Sequence, residues 1–184
     1  STGQLIRLFA IASAIAGTVA YEITLGIVGV ALPHMQGHFS ATPDQIAWVM
    51  TAFIVGGTMM IAVTGWASTR FGRKQLYIAS VVCNTVGTFM CGVAESLEAE
   101  VLFRFLQGLS SAPLMALAQS IVIDAFPREK RGFATGLFGA AGVGAVVMAP
   151  VIGGLMVEHY SWRFVFYCVI PFGIVATIMG VVFL

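Results

Sequence analysis

Six uninterrupted apolar runs, each long enough to cross a lipid bilayer, restrict this chain's fold more than any single motif does. They lie at about 8–33, 46–67, 76–94, 101–123, 133–157 and 164–184. A hydrocarbon core of ~30 Å needs ~20 helical residues, and each run supplies that length or nearly so. The separators, "HMQGHFSATPDQ", "STRFGRKQ", "ESLEAE", "DAFPREKRG" and "EHYSWR", are short and polar, so none reads as a linker between domains. Charged residues make up only 9% of the chain, where soluble domains carry about 25%. That is too little to cover a water-facing surface, so most of the surface must face lipid. The expected fold is an all-α membrane protein: one bundle of six transmembrane helices over residues 1–184. The runs do not alternate, which argues against a β-barrel. The first run is too long for a signal peptide and has no A-x-A cleavage site, so it is read as a retained helix.

The charges fix a direction. Arg7, Arg70, Arg73, Lys74, Arg128, Lys130 and Arg131 fall on one side of the bundle. The other side has Arg163 together with Asp44, Glu95, Glu98, Glu100 and Glu158. The positive-inside rule then puts both ends of the segment in the cytoplasm. No basic run with interleaved aromatics is present, so no nucleic-acid partner is expected. Cys83, Cys91 and Cys168 lie inside apolar runs and read as small hydrophobes. His34, His38 and His159 fall in loops without a metal-ligand or catalytic pattern. Neither an enzyme nor a cofactor is expected.

Within the runs as bounded above, only Glu22 and Arg104 are charged. An arginine facing lipid costs ~3 kcal/mol or more, so Arg104 should face the bundle interior or a wet cavity. Ser96 is a suitable N-cap, which sets Arg104 about 12 Å from that end of its helix. Glu22 lies about 16 Å from Pro33 along the first helix, and by elimination it is the expected partner. Two readings stay open: a pair that exchanges a proton or a substrate cation, or a static pair that holds two helices. Arg104, Gln107, Ser111, Met115 and Gln119 form one stripe at helical spacing, and Thr18, Glu22, Gly26 and Gly29 form another. These are the first and fourth helices, the corresponding members of two inverted triplets. Small residues recur every four positions at Ala141, Ala145, Ala149 and Gly153, and again at Gly108, Ala112, Ala116 and Ser120; such stripes let helices approach closely. Pro150 is read as a kink or pivot.

Several segments together carry a family likeness. "GWASTRFGRK" (65–74) has Gly65, Arg70, Gly72 and Arg73 between the second and third spans. "LFRFLQGLSSAP" (102–113) has Arg104, Gln107 and Gly108, and "AVVMAPVIGG" (145–154) has Pro150, Gly153 and Gly154. With "VALP" (30–33) and "WRFVFYCVIPFG" (162–173), these are in the order and on the spans of a known pattern. The chain resembles the N-terminal six-helix half of a major facilitator superfamily transporter, most like the EmrB/QacA-type fourteen-helix drug–proton antiporters. The resemblance implies a gating loop at Gly65, Thr69, Arg70, Gly72 and Arg73 and an antiporter motif at Pro150, Gly153 and Gly154. It departs from the pattern where Thr69 replaces the loop acid and where Thr24 and Gly29 stand at the first-helix acid and asparagine. Ala145, Ala149 and Val169 are further departures.

Read together, these features suggest a secondary transporter domain that exports an amphipathic organic compound in exchange for protons, in a bacterial inner membrane. Glu22 and Arg104 would couple the proton, and Thr18, Thr24, Gln107, Ser111, Met115 and Gln119 would line the substrate cavity. The expected partners are membrane lipid, a small amphipathic substrate and a second six-helix half. A facilitator or symporter of a lipid-like or anionic solute is the alternative within transport, with Arg104 binding the solute's acid. A membrane scaffold that carries nothing is the alternative outside it.

Overall fold

The computed structural model describes residues 2–184. The helices are α1 (Thr2–His38), α2 (Pro43–Phe71), α3 (Arg73–Val93), α4 (Leu97–Asp124), α5 (Arg131–His159), α6 (Phe164–Tyr167) and α7 (Ile170–Phe183). Six apolar helices, with α6 and α7 forming one broken span, are long enough to cross a membrane. Each of the five long helices extends past the apolar run that announced it, into polar residues. α1 continues through Pro33 to His38, and α4 begins at Leu97, so Glu100 lies within it. A helix need not stop where hydrocarbon stops.

Local chemistry accounts for the boundaries. Thr42 caps α2 by accepting from the Gln45 amide, while the Gln45 side chain accepts from the Thr42 amide, with Pro43 at the first helical position. Ser96 accepts from the Ala99 amide at the start of α4, as its place in the sequence suggested. Gly72, at φ 87°, makes the one-residue turn between α2 and α3 in a conformation that costs a glycine little.

The packing has an internal symmetry. α2 packs on α4 and α5 on α1; α3 packs on α4 and the α6–α7 span on α1; α1 meets α4 and α3 meets α7. Exchanging the first three spans with the last three maps this set of contacts onto itself. Because each triplet holds an odd number of crossings, the second enters from the opposite side, as inverted repeats do.

Small residues form the seams. Ala145, Ala149 and Gly153 are buried. A Cβ added at Gly26 would lie 2.8 Å from the Ala149 Cβ, and one at Gly153 would lie 2.7 Å from Ile27 Cγ1. On the α2–α4 seam, a Cβ at Gly56 would lie 2.5 Å from the Phe105 carbonyl oxygen, and one at Gly108 would meet the Phe53 carbonyl. α5 runs unbroken through Pro150, which is exposed.

Candidate functional site

Arg104 does face the interior. Its side chain is fully excluded from solvent. Nε donates to the Val49 carbonyl at 3.1 Å and Nη1 donates to Gln107 Oε1 at 2.7 Å. The guanidinium carbon lies 4.3 Å from the centroid of the Phe53 ring, a cation–π contact that gains strength when desolvated. Gln107 in turn donates to Thr88 Oγ1 on α3 at 2.7 Å, so the pair ties α4 to both α2 and α3. The three-residue spacing on α4 brings Arg104 over the α2 carbonyl, while Gln107, about one turn on, reaches α3.

Glu22 is not the partner of Arg104. Among the described residues the ion pairs within 4.0 Å are Arg73–Asp124 and Arg131–Asp124, and the Arg104 contacts go to a carbonyl, an amide oxygen and a ring. Elimination failed because it counted only carboxylates in the apolar runs. The acid nearest Arg104 along the chain is Glu100, one turn before it on α4 and also fully buried.

Glu22 instead lies half-buried in a groove between α1 and α5. The groove has a volume of about 360 Å³ and is lined by Thr18, Phe138, Gly139, Gly142, Val143 and Val146, among others. Gly142 faces the carboxylate, and a Cβ there would lie in ordinary van der Waals contact with Glu22 Oε1 at 3.6 Å. Thr18 and Thr24 are buried and donate back to the carbonyls of Ala14 and Ala20, which satisfies each hydroxyl within its own helix.

The α4 stripe does not open onto this groove. From Arg104 to Gln119 it subtends about 120° of the helix, and α4 has neighbours on several sides. Ser111 points at Gly57 of α2 and bonds the Gly108 carbonyl. Met115 packs with the cluster around Tyr77 and Leu114, and Gln119 is exposed.

The loop motif is divided in the same way. Arg73 donates to Asp124 at 2.9 Å and to Ser120, linking the start of α3 to the end of α4. Thr69 bonds its own helix at the Trp66 carbonyl, while Arg70 is exposed. Asp124 carries no helical periodicity that would have marked it as a site residue; only its place opposite the motif arginines could have done so. Both partners are about half-exposed, so a double-mutant cycle of Arg73→Ala and Asp124→Ala, read by thermal unfolding, should return a coupling below about 1 kcal/mol. A coupling of several kcal/mol would mean that the pair is shielded from water.

At the opposite end Arg163 donates to the carbonyls of Gly92 and Ala94 at 2.9 and 2.7 Å, closing the C-terminus of α3. Its guanidinium also covers the Trp162 ring at 4.5 Å.

Six inverted-repeat spans, glycine-lined seams, a buried arginine–glutamine pair and a basic loop clamp define a transporter-type membrane domain. The Major Facilitator Superfamily profile matches residues 14–184, and the chain belongs to that family. It is 35% identical to the multidrug export protein EmrB of Haemophilus influenzae over 148 residues, covering 80% of this chain and 29% of that protein. It is 33% identical to the fatty acid resistance protein FarB of Neisseria gonorrhoeae over 150 residues, or 82% and 30% of the two chains. The riboflavin transporter RibZ of Clostridioides difficile is 34% identical over 159 residues, or 86% and 35%. The chain thus spans about a third or less of the length of these curated relatives.

Proposed function

We propose that this segment is the N-terminal six-helix half of a proton-coupled exporter of amphipathic organic compounds, with both of its ends in the cytoplasm of a bacterial inner membrane. The observation that carries this reading is Glu22. A carboxylate in an apolar groove at the centre of α1 is costly against lipid and is reasonable where a second six-helix half closes a wet cavity over it. There it would bind and release protons, and Thr18 would line the same wall. The relatives named as exporters support the direction of transport, and the positive-inside distribution supports the orientation.

The names FarB and RibZ keep a second reading in view, transport of a lipid-like or anionic solute with Arg104 as the anchor. The burial of Arg104 counts against it, since a solute's acid cannot reach a guanidinium sealed by Val49, Phe53 and Gln107 unless α2 and α4 separate.

The test uses the full-length protein in proteoliposomes with ethidium as the probe. Glu22→Gln should remove ethidium movement driven by a pH gradient while leaving the thermal unfolding profile unchanged. Full coupled movement in that variant would take Glu22 out of the mechanism.

A further inference from the structure

Glu100 belongs to none of the motifs and contacts no groove that the transport reading uses. It lies in the first turn of α4, and its side chain is fully excluded from solvent. Neither carboxyl oxygen has a hydrogen-bond partner among the described residues, and one turn along the same helix Arg104 Nη2 has none either. Helical residues four apart stand one above the other. The two orphaned groups are therefore neighbours, yet no ion pair within 4.0 Å joins them, because Arg104 is turned to α2 and Gln107.

The charged and titratable groups around Glu100 are Arg104 on α4, Arg163 just before α6 and the Cys91 thiol on α3. Tyr21 of α1 adjoins Arg104, and His38 at the end of α1 meets Arg163 at 3.3 Å. Directly beyond the first turn of α4 is a polar hollow lined by His38, Ser40, Gln45, Glu95, Ser96 and Glu98. Leu97 also lines it, and both Leu97 and Glu98 are in the same turn of α4 as Glu100.

An ionised carboxylate in a dry interior with no donor is a high-energy arrangement, whereas a neutral carboxyl is far less so. The four-residue spacing on one helix would let an ionised Glu100 accept from Arg104 once the guanidinium turned away from Val49. We propose that Glu100 is a proton-carrying positioning residue. It holds a proton while Arg104 is bonded to the Val49 carbonyl, and it releases that proton when Arg104 turns to pair with it. In that step the carboxyl O–H bond breaks, the proton passes to water in the polar hollow, and the carboxylate accepts an N–H of Arg104. No electrons are transferred. Because the Arg104–Val49 bond ties α4 to α2, proton release loosens that seam at the acidic end of the bundle and proton uptake restores it. The inference draws its purpose from the transport reading, but its chemistry stands apart from it. Glu22 and Glu100 are then two acids with separate duties, one lining the groove between α1 and α5 and one buried in the first turn of α4.

The direct test is infrared difference spectroscopy between acid and alkaline pH on the reconstituted full-length protein, in H2O and D2O. The wild type should show a protonated-carboxyl C=O band that disappears as pH rises, is absent in Glu100→Gln and persists in Glu22→Gln. Persistence of that band in Glu100→Gln, or its absence from the wild type, overturns the proposal. Should Glu100→Gln fold poorly, Glu100→Asp keeps the carboxyl and should move the band rather than remove it, so an unmoved band is equally fatal. Ethidium efflux is scored separately, and Glu100→Gln should slow it roughly tenfold or more with ethidium binding unchanged. Unimpaired efflux removes the coupling role. Wild-type liposomes that move no ethidium would count against the drug-export reading and leave the Glu100 assignment to its band.

Discussion

A Gly108→Val variant is expected to lose several kcal/mol of stability, roughly the upper range for overpacking a closed interior, and to accumulate poorly as folded protein. The reason lies in what an added side chain would meet. The nearest atoms to a Cβ at Gly108 are the carbonyl oxygen, the carbonyl carbon and the Cα of Phe53. All belong to the α2 backbone, so no rotamer change can clear them. The clash is reciprocal, because Gly56 on α2 faces Phe105 and Leu109 backbone atoms of α4 at 2.5 and 3.0 Å. Without a hydrophobic drive between helices in lipid, such close backbone approach is a main source of association. Forcing the helices apart would also stretch the Arg104–Val49 bond one turn away. Gly144→Ala is the control, since nothing lies within 4 Å of a Cβ there. It should leave stability unchanged or raise it by up to ~1 kcal/mol through helix propensity. Thermal unfolding in detergent, read by tryptophan fluorescence, separates the two. A wild-type midpoint for Gly108→Val would mean that the α2–α4 seam is far looser than this geometry.

What could be read from the sequence followed from what each residue must do locally. Apolar run length marked the six spans, and Ser96, read as an N-cap, is one. The small-residue stripe on α5 marked a true seam at Ala145, Ala149 and Gly153, while on α4 Gly108 lies in the seam with α2 but Ala116 is exposed. Arg104 was placed inside correctly, since one charge in lipid has few alternatives. Its partners were not legible. A carbonyl, a glutamine oxygen and an aromatic face leave no charge signature, and counting acids therefore pointed to Glu22. Glu100 was missed for a related reason. Hydropathy assigns an acid beside a loop to the loop, and only the closure of Cys91, Trp162 and Phe166 over that end shows that it is buried. Asp124 likewise acquires its role from a tertiary contact, with Arg73, 51 positions away.

Arg104→Ala is expected to destabilise the bundle by about 3–5 kcal/mol, the usual cost of removing one member of a buried charged set. It deletes the bond to Val49, the bond to Gln107 and the contact with Phe53 at once. It leaves Gln107 Oε1 with only the Cys91 thiol at 3.8 Å, and it removes a cation from beside Glu100. Arg104→Lys should fall between Ala and the wild type, because an ammonium keeps the charge but cannot span Val49 and Gln107 as a planar fork does. The informative comparison is between two double variants. If Glu100 is the acid that Arg104 serves, then at a pH high enough to ionise Glu100, adding Glu100→Gln to Arg104→Ala should recover part of the loss, since no ionised acid is then buried without its cation. Adding Glu22→Gln should recover nothing, because Glu22 stands in a separate groove between α1 and α5. The opposite pattern, with rescue by Glu22→Gln and strict additivity with Glu100→Gln, would restore the pairing that elimination suggested and would require α1 and α4 to meet through those two side chains. Thermal midpoints of the wild type, Arg104→Ala, Glu100→Gln, Glu22→Gln and the two double variants, measured in one detergent at one alkaline pH, decide between the two arrangements.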